Sequence, residues 1–84
     1  MKNKNITPIN DKGERHGYWE VYYSNGQLYT KGNYVNGKPH GSWEVYYDNG
    51  LLSSKGNYVA GKLHGSWEFY YYNNGKLKSK IYYI

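Results

Sequence analysis

Histidine stands at positions 16, 40 and 64, glutamate at 20, 44 and 68, and tyrosine at 22, 46 and 70. Each set recurs every 24 residues. Imidazoles suggest a metal, carboxylates suggest acid–base work, and rows of tyrosine among lysines suggest a stacking surface. Which of these is feasible depends on how far apart the copies lie, and so on the elements that carry them.

The recurrence spans almost the whole chain. Residues 17–40 read "GYWEVYYSNGQLYTKGNYVNGKPH", and residues 41–64 read "GSWEVYYDNGLLSSKGNYVAGKLH". A third copy, residues 65–84, reads "GSWEFYYYNNGKLKSKIYYI", with one extra residue before Asn-Gly. Upstream, "DKGERHG" at 11–17 resembles the end of another copy. This divides the chain into a partly flexible leader, residues 1–12, and a repeat domain, residues 13–84.

Each copy reads as β-structure. "WEVYY" and "GNYV" are β-branched and aromatic, and Asn-Gly between such runs signals a hairpin. Turns are expected at Asn25-Gly26, Asn36-Gly37, Asn49-Gly50, Ala60-Gly61 and Asn74-Gly75, with a different turn type at Ala60. The expected fold is all-β: a single-layer, curved antiparallel meander of about six strands built from hairpin repeats.

A two-residue turn at Asn49-Gly50 sets Tyr47 opposite Leu52, Tyr46 opposite Ser53, Val45 opposite Ser54, Glu44 opposite Lys55 and Trp43 opposite Gly56. The same exercise at Asn25-Gly26 sets Tyr23 opposite Leu28, Val21 opposite Thr30, Glu20 opposite Lys31 and Trp19 opposite Gly32. Both registers give one apolar face and one face of Glu–Lys pairs. Structural roles therefore fall to Trp19, Trp43, Trp67, Gly32, Gly56, Tyr34 and Tyr58, the indoles lying over bare glycine backbone.

The spacing now decides the chemistry. Equivalent residues sit two strands apart, about 9.5 Å. One zinc, with Zn–N bonds of about 2 Å, cannot bridge His16, His40 and His64. No metal or other cofactor is expected. Each glutamate faces a lysine, as exposed sheet pairs do, with Lys80 serving Glu68. There is no nucleophile–base arrangement and no phosphate loop, so no enzyme is expected. Tyr22, Tyr46 and Tyr70 are candidate partner-binding residues, because aromatic side chains on a polar face are typical interface anchors. Lys76, Lys78 and Lys80 alternate along the last strand and are expected to share one face beside them.

With 84 residues and a net charge of +5, the chain is one small basic domain. Charge and tyrosine content allow an acidic protein, nucleic acid or anionic lipid as partner. It has no cysteine, no signal-like opening and no apolar run of the roughly 20 residues that span a bilayer. A cytoplasmic location is expected. So is a homodimer, formed through the Trp/Tyr face or the last strand, because a single sheet has little core.

"YVNGKPHGSWEVYYDNG" at 34–50 and "YVAGKLHGSWEFYYYNNG" at 58–75 resemble the MORN (membrane occupation and recognition nexus) repeat in its bacterial variant. Proteins of that kind are often labelled antitoxin components of toxin–antitoxin pairs. The resemblance implies a β-hairpin array that binds proteins. The expected function is an interaction module that binds and blocks a partner, a toxin or a defence enzyme. It would act as an antitoxin or as a phage or mobile-element inhibitor. Direct binding of nucleic acid or anionic lipid is the alternative.

Overall fold

Alternating side chains and recurrent turns produce one sheet. The computed structural model describes residues 4–84, so Lys2 of the basic leader lies outside the described residues. The strands are β1 (Gly17–Tyr22), β2 (Leu28–Val35), β3 (Lys38–Tyr46), β4 (Leu52–Val59), β5 (Lys62–Tyr70) and β6 (Leu77–Tyr83). All neighbours are antiparallel, and spatial order equals chain order. The slab measures 41 × 40 × 10 Å, so it is one layer thick and any curvature stays within that depth.

The strand registers are as expected away from the turns. Trp19 pairs with Gly32, Glu20 with Lys31, Trp43 with Gly56, Glu44 with Lys55, Glu68 with Lys80 and Trp67 with Ile81. The turns themselves differ. Tyr47 N–H donates to Leu51 O at 2.8 Å, leaving a three-residue loop, Asp48 to Gly50, in place of a two-residue one. A bulge then restores the register, because Tyr46 pairs with Leu52 while Val45 pairs with Ser54. Ser53 is the extra residue, and Tyr29 is its counterpart in the first copy. The expected partners Tyr47–Leu52, Tyr46–Ser53 and Tyr23–Leu28 are therefore corrected by one residue. The loop and the bulge shift the count in opposite senses, so everything beyond them is unchanged.

Asn25 and Asn49 also act differently from expectation. The described non-glycine residues with positive φ are Asn36 and Ala60. Asn25 Oδ1 instead accepts from Gln27 N–H at 2.9 Å, and Asn49 Oδ1 from Leu51 N–H at 2.9 Å. These side chains imitate a turn of backbone. At the two turns that do have two residues φ is positive at both central positions, 48° and 87° at Asn36-Gly37 and 51° and 89° at Ala60-Gly61. Ala60 thus adopts the same conformation as Asn36, against the expected change of turn type. An alanine there costs about 1–2 kcal/mol, a cost the packed repeat sustains.

The core is thin. Trp43 and Trp67 are 7% and 4% exposed, and Trp19 is half-buried. A single layer buries an indole by laying it flat. A Cβ on Gly32 would stand 2.2 Å from Trp43 Cδ2, and a Cβ on Gly56 would stand 2.2 Å from Trp67 Cδ2. Each indole therefore lies on the glycine of the preceding copy, not on the glycine it faces in the following strand. Its N–H reaches back too: Trp43 Nε1 donates to Asn33 O at 3.0 Å and Trp67 Nε1 to Asn57 O at 2.8 Å. Tyrosines fill the gaps edge-on. The series Trp19, Tyr34, Trp43, Tyr58, Trp67 runs with centroid spacings of 5.1, 5.0, 6.0 and 5.1 Å. Arg15 closes its first end, 5.4 Å from the Trp19 ring.

The leader substitutes for the copy that Trp19 lacks. Trp19 Nε1 donates to Pro8 O at 2.9 Å, and Ile6 exchanges backbone hydrogen bonds with Glu20 at 2.8 and 2.9 Å. Asn5 Oδ1 accepts from Tyr22 N–H at 2.7 Å. The free edge of β1 is thereby occupied.

Candidate functional site

The other face carries the glutamates and the first tyrosine of each pair. Tyr22, Tyr46 and Tyr70 lie two residues after Glu20, Glu44 and Glu68 on the same strand, so side chains at both positions leave the same face. Each hydroxyl donates to its glutamate, at 2.7, 2.6 and 2.5 Å. Tyr18 adds a second donor to Glu20 at 2.6 Å. Lys31 and Lys55 then cross-link copies, and Lys80 pairs within the last one. Lys31 reaches Glu44 at 3.3 Å, and Glu68 receives both Lys55 at 3.8 Å and Lys80 at 3.7 Å. Lys31 is thus bridged to Glu44 of the next copy, although its register partner in β1 is Glu20.

These contacts set the protonation states. The Tyr46 hydroxyl, followed by Lys31, holds the Glu44 carboxyl below its ordinary range. Tyr18 and Tyr22 do the same for Glu20, and Tyr70 with Lys55 and Lys80 for Glu68. Conversely the phenols are pushed up. Burial and the Glu44 carboxylate raise Tyr46 to about 12, and the hydrogen bond to Glu68 raises Tyr70 to about 12. The face therefore presents three neutral, fixed phenols, each beside an ionised glutamate, and Glu44 and Glu68 are also paired with lysine.

The face is electrically balanced. Setting aside its three glutamates and Lys31, Lys55 and Lys80 leaves eight basic and three acidic residues, which is the whole of the +5. That surplus sits on the rims: Lys38 and Lys62 beside the β2–β3 and β4–β5 turns, Lys4 and Lys12 in the leader, and Lys76 and Lys78 at the last hairpin.

The expected lysine row does not form as one line. The register shifts between Phe69 and Tyr70, so Leu77 pairs with Tyr70 and Ser79 with Phe69. Lys78 is the bulged residue between them, and Lys76 precedes the strand, with its backbone O accepting from Tyr71 N–H at 2.9 Å. Lys80 alone of the three is in the Glu68 row. A bulge inverts the alternation, and equal spacing in sequence no longer means one face.

Three further sets of residues join the copies. Tyr23 OH donates to Tyr46 O and Tyr47 OH to Tyr70 O, both at 2.6 Å. Asn25 Nδ2 donates to Asp48 O at 2.8 Å and Asn49 Nδ2 to Tyr72 O at 3.0 Å. His16 Nδ1 accepts from Asn36 N–H at 3.1 Å and His40 Nδ1 from Ala60 N–H at 3.2 Å. His16 and His40 are therefore braces on the turn of the following copy. Among the described residues no three His, Asp or Glu side chains gather in the way a metal site needs. The second tyrosine and the asparagine were visible only as recurrence. Their role needs the inter-copy offset, which single-strand pairing does not supply.

The groups that do chemistry in this sheet are thus engaged with one another, copy to copy. What is left to a partner is surface: fixed phenols, ion pairs and a basic rim. Comparison with known proteins agrees with the periodicity. The model described as the MORN repeat variant matches residues 15–36, 39–60 and 63–84. Neither a curated protein nor a solved structure matches the chain. The repeats of this family are interaction modules for proteins or membrane lipids. Three matched repeats, each contributing a hairpin to one open sheet, place the chain in the MORN repeat variant family.

Proposed function

We propose that the chain binds a partner protein on its glutamate–tyrosine face and blocks that partner by covering it. One observation carries this reading: Tyr22, Tyr46 and Tyr70 are held in place by their glutamates before any partner arrives. A fixed phenol offers apolar area and an oxygen at little entropic cost. The partner surface is acidic, because the uncompensated charge around the face is positive and steers an acidic protein toward it. Lys80 contributes from within the Glu68 row, while Lys76 and Lys78, outside that row, add positive charge at the same end of the sheet. The sheet acts without catalysis, in the cytoplasm. The resemblance to antitoxin components supports a toxin or a defence enzyme as the blocked protein.

The test uses the double variant Tyr46→Ser with Tyr70→Ser, shown by circular dichroism to be folded. The expected result is loss of the partner captured by the wild type from native lysate. Capture at wild-type yield would move the site to the other face. Capture that collapses steeply between low and moderate salt would favour phosphate contacts, hence nucleic acid or anionic lipid, over a protein.

A further inference from the structure

The two edges of the sheet are not alike. The outer edge of β1 is occupied by leader residues through Ile6, Pro8 and Asn5. Among the described residues nothing pairs with the outer edge of β6. That edge also exposes apolar side chains to solvent: Ile81 and Tyr82 are 43% and 70% exposed. An unpaired strand of this kind is a template for another strand.

We infer that β6 pairs with β6 of a second copy, antiparallel about a two-fold axis at Ile81, giving a closed twelve-stranded dimer with continuous faces. Three features select this occupant and this register. First, the leader covers β1, so head-to-tail addition of β6 to β1 is obstructed. That leaves a self-complementary contact, which closes at two copies instead of growing a fibre. Second, β6 is protected at its start and open at its end. The bulge at Lys78 disrupts pairing in the first half, whereas Ser79 to Tyr83 are in regular register with β5. Third, the midpoint of that regular stretch, Ser79 to Tyr83, is Ile81, and the charges agree with an axis there. Pairing centred on Lys80 would set two ammonium groups opposite each other, which is destabilising. Centred on Ile81, it sets Ile81 against Ile81, Lys80 against Tyr82 and Ser79 against Tyr83. Lys80 already lies 5.6 Å from its own Tyr82 ring, so a lysine and this tyrosine are compatible neighbours.

The contact leaves the glutamate–tyrosine face of each copy open and doubles it, so it is independent of the binding proposal above. The test is the mass in solution of the wild type and two variants at residue 82, whose side chain is largely solvent-exposed. Light scattering of the wild type at about 100 µM is expected to give twice 9.9 kDa. Tyr82→Lys puts Lys80 opposite a second lysine twice per dimer and is expected to raise the dissociation constant at least tenfold. Tyr82→Glu puts a carboxylate opposite Lys80 and is expected to keep the dimer. A wild-type monomer at that concentration would overturn the inference, as would a mass rising beyond the dimer. So would equal behaviour of the two variants, which would indicate pairing through another surface or register.

Discussion

The two faces of the sheet use the same strands and the same period, yet they do different work. On one, Trp43 and Trp67 lie on Gly32 and Gly56 of the preceding copy and donate to its backbone. On the other, Glu44 and Glu68 collect tyrosine hydroxyls and lysines at the surface. The first face excludes water from two large rings. The second exchanges hydrated ion pairs for partly hydrated ones. A one-layer sheet can therefore hold itself together from one side and leave the other for recognition. The aromatic content that looks excessive for so small a domain divides accordingly, with the indoles on the cohesive face and the first tyrosine of each pair on the glutamate face.

The largest way to break the contrast is Trp43→Ala. Removing a buried ring of this size costs about 3–5 kcal/mol, a large share of what a small domain possesses. Thermal denaturation should show a fall of tens of degrees or loss of the cooperative transition. Next comes Tyr47→Phe. It deletes the donor to Tyr70 O and should cost about 1 kcal/mol in chemical denaturation, with the midpoint moving and the slope unchanged. The smallest is Glu44→Ala, whose side chain is 32% exposed within its pair, and which should cost less than about 1 kcal/mol.

The charged face also predicts a pH profile. Glu44 has a folded-state pKa below its ordinary value of 4.5. Its contribution is therefore present above pH about 4.5 and is lost as pH falls through the lower folded value. At the alkaline end the sign reverses. Tyr46 is raised from 10.0 to about 12, so its protonated form is favoured in the folded state. That contribution is complete below pH 10 and disappears as pH rises toward 12. Melting temperature against pH should form a plateau bounded by these two flanks, and Glu44→Gln should remove the Glu44 share of each while leaving the part of the alkaline flank that burial of Tyr46 supplies.

Much of this was legible in the chain itself. The register of Trp43 with Gly56 and of Glu44 with Lys55 follows from alternation and turn position, since a register slip would place indoles and carboxylates on one face. It survived a wrong loop length because Ser53 bulges by the one residue that the longer loop removes. The same device at Lys78 defeated the reading of the last strand, where no repeat of alternating apolar residues exposes the inversion. Ala60 was misread because propensity disfavours alanine at positive φ, while the preceding copy holds the turn in place, with His40 Nδ1 accepting from Ala60 N–H and Pro39 O from Gly61 N–H. The leader was illegible for a different reason. "NITPI" has no counterpart in the copies, and its pairing with β1 depends largely on backbone groups, which carry no sequence signal, with Asn5 Oδ1 as a side-chain contribution. On the candidate face, the tyrosine row was readable, but its attachment to glutamate was not. A period of two places both residues on one face without saying that they touch.

The central claim is that each copy is held to the one before it by an indole resting on a glycine. A double-mutant cycle between Gly56 and Trp67 tests it most directly, using chemical denaturation of Gly56→Ala, Trp67→Ala and both together. In the wild-type background the added methyl meets the Trp67 ring and should cost roughly 1–3 kcal/mol. With alanine at 67 the obstruction is gone, and the same methyl should cost less than about 0.5 kcal/mol or stabilise the strand. An equal cost of Gly56→Ala in both backgrounds would contradict the account.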